Sequence, residues 1–329
     1  MKIVVGIIGF GVGMHHFKAI EGFKGSKIKY ICEINPTKRK LLKKKYPYIK
    51  IIKDAQSIFN DSEINLVSIA SYDNFHYNQV LECIKTKKNF IVEKPICLNP
   101  NQLKTIFVKL KNTKIRMTTN LVLRSNRLFS KFKDEIDVNK LFYIEADYIW
   151  GRKEKLFEWR STINEYSVTK GAVIHMIDLI LWLIKLKPVS VISFGNSKAT
   201  NKTKFKKNNL IVSILKFPKD ITVKITANAA GIFEHFHEIK IFQKDITLVN
   251  SRLGAFYYKS RKKNKIQKFE KNLYPDKQNR KKIIQNFLNE ILKNKKPSIK
   301  IKEQIDLMTI CFAIDESIKR GKEIKIKYL

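Results

Sequence analysis

Over the first third of the chain, short apolar runs rich in Ile and Val alternate with stretches whose apolar residues recur at helical spacing. The pattern predicts strands at 2–8, 28–32, 49–51, 66–70, 89–92 and 114–118, and helices at 14–21, 36–45, 55–59, 75–86 and 100–110. Regular strand–helix alternation is the mark of parallel pairing, because parallel strands need a long crossover that a helix supplies. After residue 120 the grammar changes. Longer strands follow one another at 142–150, 188–197, 210–217, 221–229, 238–242 and 246–249, with an amphipathic helix at 172–186 and two more at 281–293 and 302–319. These imply an α+β domain with a large, mostly antiparallel open sheet.

The first strand runs into Gly9-Phe10-Gly11-Val12-Gly13-Met14, which opens the first helix. Gly9 permits a tight turn, and Gly11 lets backbone N–H groups approach a pyrophosphate that the helix N-terminus also favours. The third glycine of such a turn is displaced, since Met occupies position 14 and Gly13 comes one residue early. Glu33, about 20 residues past the turn, suits the ribose hydroxyls and repels a 2′-phosphate, so NAD is favoured over NADP. Lys38 and Arg39, close behind, soften that preference. The expected fold class is therefore α/β, with a Rossmann dinucleotide-binding domain at 1–119 and a second domain at 120–329. The helix over 302–319 is expected to pack back on the first domain.

Composition changes the picture in one respect. Hydrophobic residues make up 44% and charged residues 29%, as in folded globular chains, but 66 Lys plus Arg against 29 Asp plus Glu leave a net charge of +37. The basic residues recur in nearly every polar segment, without a stripe of interleaved aromatics, and only ten are Arg. No nucleic-acid partner is expected; what remains is a positive field that concentrates small anions at a binding site. Cys32, Cys83, Cys97 and Cys311 form no CxxC pair, so neither zinc nor a disulfide framework is indicated. No membrane span and a cytoplasmic setting are expected, since the apolar stretch 171–184 carries His175 and Asp178 and is too short to cross a bilayer.

Three further segments, Ile69-Ala70-Ser71-Tyr72-Asp73-Asn74-Phe75-His76, Val92-Glu93-Lys94-Pro95 and His175-Met176-Ile177-Asp178, together with the glycine turn, resemble the Gfo/Idh/MocA oxidoreductases. The resemblance covers nearly the whole chain, and Glu93-Lys94-Pro95 is its most specific part. It implies NAD-dependent oxidation of a hydroxyl-bearing carbon of a sugar or cyclitol in a homodimer or homotetramer, with substrate binding and oligomerisation assigned to the second domain, 120–329. It also places Ser71, Tyr72, His76, Glu93 and Lys94 beside the cofactor with the residues of the turn, and His16 at a family position. Tyr72 stands where the family usually has proline, and Lys87 where it usually has glycine.

Lys94 and His175 carry the implied acid–base chemistry. A neutral imidazole accepts the hydroxyl proton and the ammonium steadies the alkoxide. Many members place Asp four residues before the histidine; here that position is Gly171, which leaves Asp178 as the remaining carboxylate, with Tyr166 a further candidate base. Asn120, Arg124, Arg160, His237, Tyr274 and Lys277 are candidate substrate contacts, and Arg suits bidentate capture of carboxylate or phosphate. The expected substrate is thus an anionic sugar or sugar nucleotide. A catalytically silent dinucleotide-binding sensor or scaffold is the alternative. His235 and His237 fall two apart on one strand with no third ligand in view, so no metal is expected.

Overall fold

A computed structural model describes residues 2–259, 266–268 and 279–329. Two compact units emerge, residues 1–122 with 277–305 and residues 123–276 with 306–329.

The first unit alternates β1 (Ile3–Ile8), α1 (Gly13–Glu21), β2 (Ser26–Cys32), α2 (Pro36–Lys45), β3 (Lys50–Ile52), α3 (Gln56–Asn60), β4 (Leu66–Ile69), α4 (Asp73–Lys85), β5 (Asn89–Val92), α5 (Pro100–Leu110) and β6 (Met117–Thr119). The sheet is parallel in the order β3-β2-β1-β4-β5-β6. The order reverses between β1 and β4, and beyond the carboxyl ends of those two strands lies the crevice where this architecture takes ligands. The helices start where the sequence supplies caps: Asn35 and Asn99 accept from the backbone N–H groups of Lys38 and Gln102, each ahead of a proline in the first turn.

In the second unit follow α6 (Arg127–Asp134), β7 (Leu141–Ile149), α7 (Trp159–Thr162), a π-turn (Thr169–Val173) continuous with α8 (Ile174–Ile184), β8 (Ser190–Asn196), β9 (Leu210–Lys216), β10 (Thr222–Asn228), β11 (Phe236–Gln243), β12 (Thr247–Ser251), β13 (Gly254–Tyr258) and β14 (Ile266–Lys268). With the short β15 (Ile324–Lys325) they make a nine-stranded sheet ordered β14-β13-β12-β11-β7-β10-β9-β8-β15. Every pair is antiparallel except β7 with β10. Burial alternates along the strands, so one face carries the apolar residues; on the other, Glu145 and Asp147 of β7 pair with Lys224 of β10 at 2.5 and 3.6 Å.

The chain then returns to the first unit. In α9 (Asn279–Leu292), Ile284, Phe287, Leu288 and Ile291 join the core built by β1, β2 and α1, and Gln285 donates to the Ala19 carbonyl at 3.1 Å. The helix expected at 302–319 also begins in the first unit, which runs to residue 305, with Lys302 over the Phe107 ring. That segment falls in α10 (Ile301–Arg320), most of which belongs to the second unit, where Asp315 accepts from Lys170 at 3.0 Å and Asp306 from Lys187 at 3.2 Å. β14, in a lysine-rich stretch, pairs with β13. Among the described residues no helix is long and apolar enough to cross a membrane.

Candidate active site

The glycine turn divides its labour in a way that fits a ligand. Gly9 has φ +85°, and a Cβ there would lie 2.5 Å from the Ala70 carbonyl oxygen, so both backbone and space demand glycine. Gly13 lies against β1 and β4: its Cβ would meet Ala70 Cβ at 3.3 Å and Ile7 at 3.4 Å, so the early third glycine still serves the close packing of helix on sheet. Around Gly11 no atom of the described residues, its chain neighbours apart, lies within 4 Å of where a Cβ would sit. The protein itself does not need a glycine there, but a pyrophosphate laid on the first turn of α1 does. Phe10 packs edge-on against Phe17, Val12 is the N-cap of α1, and Met14 begins its exposed side.

Glu33 follows β2 with its backbone N–H on the Ile52 carbonyl, and one carboxylate oxygen accepts from Asn35 N–H at 2.9 Å. The Arg39 guanidinium instead clasps the Glu33 and Ile34 carbonyls at 2.9 and 2.7 Å, committing it to the chain. At the end of β4, Ser71 Oγ donates to Gln79, Tyr72 is exposed at the start of α4, and the buried His76 spans the Pro95 and Ser71 carbonyls at 2.7 and 3.2 Å. His76 thereby ties the β4 loop to the cis Lys94–Pro95 link just after β5.

Beneath the turn lies a buried polar chain. His16 Nδ1 meets Ser68 Oγ at 2.8 Å, His16 Nε2 meets Glu93 at 2.9 Å, and the Asn120 amide donates to the same Glu93 oxygen at 2.7 Å. Burial pushes the Glu93 carboxyl up, but the His16 hydrogen bond and charge, Arg280 and the Asn120 amide outweigh it and hold it well below the usual carboxylate range. Asn120, expected at the substrate, is thus engaged with Glu93 inside the first unit.

In the second unit, α8 presents His175 to an aromatic cluster. Tyr148 of β7 stacks on the His175 ring at 5.7 Å and 11°, and meets His237 edge-on at 4.5 Å and His235 at 5.4 Å. His235 and His237 share one face, 5.1 Å apart. Burial, with Arg152 adding to it, holds the His235 imidazole down at about 4, against the pull of the Trp150 and Ile149 carbonyls. The His237 imidazole is driven well below its ordinary value by burial first, then by His175, His235 and Arg152. The Tyr148 phenol is pushed up to about 12 by burial, while Arg152 and Arg160 pull the other way. Arg160 lies over Trp159 at 4.2 Å and Trp150 at 5.4 Å and donates to the Lys155 carbonyl. Among the described residues no group of three or more His, Cys, Asp or Glu has metal-binding geometry.

Two expectations need correction. Asp178, one turn past His175, is not a free carboxylate beside it: it is fully buried and bound by Arg124 through Nε at 3.0 Å to each oxygen. Arg124 in turn directs both Nε and Nη2 at Asp178. Tyr274 and Lys277 lie outside the described residues. The contact that sequence reasoning missed is at Gly171, where a Cβ would lie 2.2 Å from the Tyr166 hydroxyl oxygen.

Comparison with known proteins bears on the whole. The chain is 25% identical over 134 residues to a myo-inositol 2-dehydrogenase of Thermotoga maritima, covering 40% of each chain. To an inositol 2-dehydrogenase 2 of Paenarthrobacter aurescens it is 26% identical over 215 residues, covering 61% of each. These matches thus span less than two thirds of either relative. The structure of scyllo-inositol dehydrogenase from Lactobacillus casei with bound NAD(H) and scyllo-inositol superimposes over 99% of both chains with a TM-score of 0.81 at 18% identity, a likeness of fold. Residues 3–121 match the oxidoreductase family with an NAD-binding Rossmann fold.

Proposed function

We propose that the protein is an NAD-dependent oxidoreductase that takes hydride from a secondary alcohol of an anionic sugar derivative: a sugar phosphate, uronate or sugar nucleotide. The observation that carries the cofactor is Gly11, a glycine the polypeptide does not need, set between Gly9, which it does need, and the closely packed Gly13. NAD, when bound, supplies the hydride acceptor. The inositol dehydrogenases among the relatives support hydroxyl oxidation as the chemistry.

The remaining work falls to this chain's residues. The first-turn N–H groups of α1 hold the pyrophosphate and Glu33 the ribose hydroxyls. His175, its ring stacked on Tyr148, takes the hydroxyl proton, and Lys94 steadies the oxygen as it becomes an alkoxide. An anionic substrate is supported by the surroundings of the cluster, where Arg160 lies over Trp150 and Trp159, Arg152 acts on Tyr148, and burial disfavours charge on His235 and His237. A homodimer or homotetramer is part of the proposal; Phe142 and Phe194 of the large sheet are more than half exposed.

The test is a screen of uronates, sugar phosphates, sugar nucleotides and cyclitols with NAD, followed by the absorbance of the reduced cofactor. With the substrate found, His175→Ala should lose about 100- to 10,000-fold in turnover. Lys94→Ala should lose on the order of 100-fold with NAD binding kept. Tight NAD binding with no turnover in any class would favour the sensor reading, for which the glycine at 171 speaks.

A further inference from the structure

Gly171 is not in a left-handed conformation, so its backbone does not call for glycine. Space does. Besides the hydroxyl oxygen at 2.2 Å, the Tyr166 ring carbon Cζ would lie 2.9 Å from a Cβ at 171. The phenol end of Tyr166 occupies the volume into which any side chain at 171 would project. It cannot readily give way: the ring is buried edge-on between Trp159 at 6.1 Å and Phe205 at 6.0 Å. The backbone on either side is also anchored. Tyr166 N–H donates to the Ile163 carbonyl, and Ser167 and Lys170 both donate to Asp315 of α10, at 2.8 and 3.0 Å.

The position matters because Gly171 lies in the π-turn that continues into α8, four residues and about one turn before His175. A side chain at 171 would extend along the flank of the helix that carries His175. Four carboxylates of the second unit are matched elsewhere. Asp178 is held by Arg124, Glu145 and Asp147 point to the opposite face of the sheet beside Lys224, and Glu234 pairs with Arg252.

We infer that Tyr166 is a specificity-determining residue. By filling the place of a side chain at 171 it keeps a carboxylate away from His175, and so selects substrates that themselves carry the negative charge. The inference rests on the substrate site proposed at His175. An acid at 171 would hydrogen-bond a neutral polyol and repel an anionic one; a phenol in its place, with Arg160 over the adjoining Trp159, reverses that preference.

Two measurements test it without relying on turnover. The first is a double-mutant cycle on thermal stability. Gly171→Ala should lower the melting temperature in the wild-type background and lower it less in Tyr166→Phe, where the hydroxyl oxygen is gone. An equal loss in both, or none in the wild type, overturns the exclusion. The second is calorimetric binding of glucuronate and of myo-inositol in the presence of NADH. The wild type should prefer glucuronate, and a Tyr166→Gly/Gly171→Asp variant that melts cooperatively and still binds NADH should lose about tenfold or more of that preference. A wild type that prefers myo-inositol, or an unchanged preference in the double variant, overturns the selection. NAD reduction reports on the proposed reaction separately, so failure there leaves both results readable.

Discussion

Arg124 grips Asp178 side-on across 54 residues of sequence, with Nε 3.0 Å from both carboxylate oxygens and Nη2 2.5 Å from one of them. The pair fastens α8 to the 3-10 turn Val122–Ser125 that opens the second unit, and side-chain exposure is only 8% for Arg124 and 1% for Asp178. Breaking a buried pair strands a charge, which costs far more than the intact pair contributes. Arg124→Ala should therefore destabilise by about 3–5 kcal/mol, seen in chemical denaturation, and a Met/Leu replacement of both residues should cost much less. A selective rise in KM with unchanged stability would instead make Arg124 a substrate clamp.

The three glycines of the turn predict three different outcomes. Gly11→Val should fold normally and lose NAD affinity, because only a ligand claims that space. Gly9→Ala should cost about 1–3 kcal/mol of stability from its left-handed backbone, with the contact to the Ala70 carbonyl added to that. Gly13→Ala should fall between, since its neighbours need yield only slightly. Melting curves with and without NAD separate the effects; unchanged NAD affinity in Gly11→Val would remove the turn from the site.

The first sheet was legible because each of its strands is a short apolar run bounded by helix signals, and the predicted bounds differ from the observed ones by a few residues. The return of α9 was not. Its buried Ile284, Phe287, Leu288 and Ile291 show an apolar face but not which core will receive it. β13 went unread because it alternates only over Ala255 and Tyr257, next to a Lys-rich stretch. Within the site, glycines and histidines stood out by type and spacing. The Arg124–Asp178 pair and the contact of Tyr166 with Gly171 did not, since both are facts of packing that no local pattern encodes.

Acid should act on the first unit through Glu93. Its folded carboxyl sits below the ordinary 4.5, so the stability that it contributes is present above that value and is lost as pH falls through the folded one. Glu93→Gln should lower stability near neutrality, by leaving His16 with an amide partner, and should flatten the acid limb of unfolding below about pH 4.5. Parallel acid limbs in variant and wild type would show that Glu93 is protonated in the folded protein.

The histidine cluster sets a second acid limb, higher in pH. His235 is held at about 4 and His237 well below its ordinary value, whereas both would titrate near 6.5 in the unfolded chain. Between those values the unfolded state binds more protons, so stability rises with pH across the interval, is complete above about 6.5, and is lost as pH falls from there toward 4. Protonation would also set cations against one another around Tyr148, whose ring lies 4.5 Å from His237 and 5.4 Å from His235. His237→Phe keeps an aromatic edge against Tyr148 and removes one of the two ionisations. Its melting temperature should fall less than that of the wild type between about pH 7 and pH 5. An identical fall would mean that His237 takes up its proton in the folded protein, and the cluster would then be charged where the proposed reaction needs it neutral.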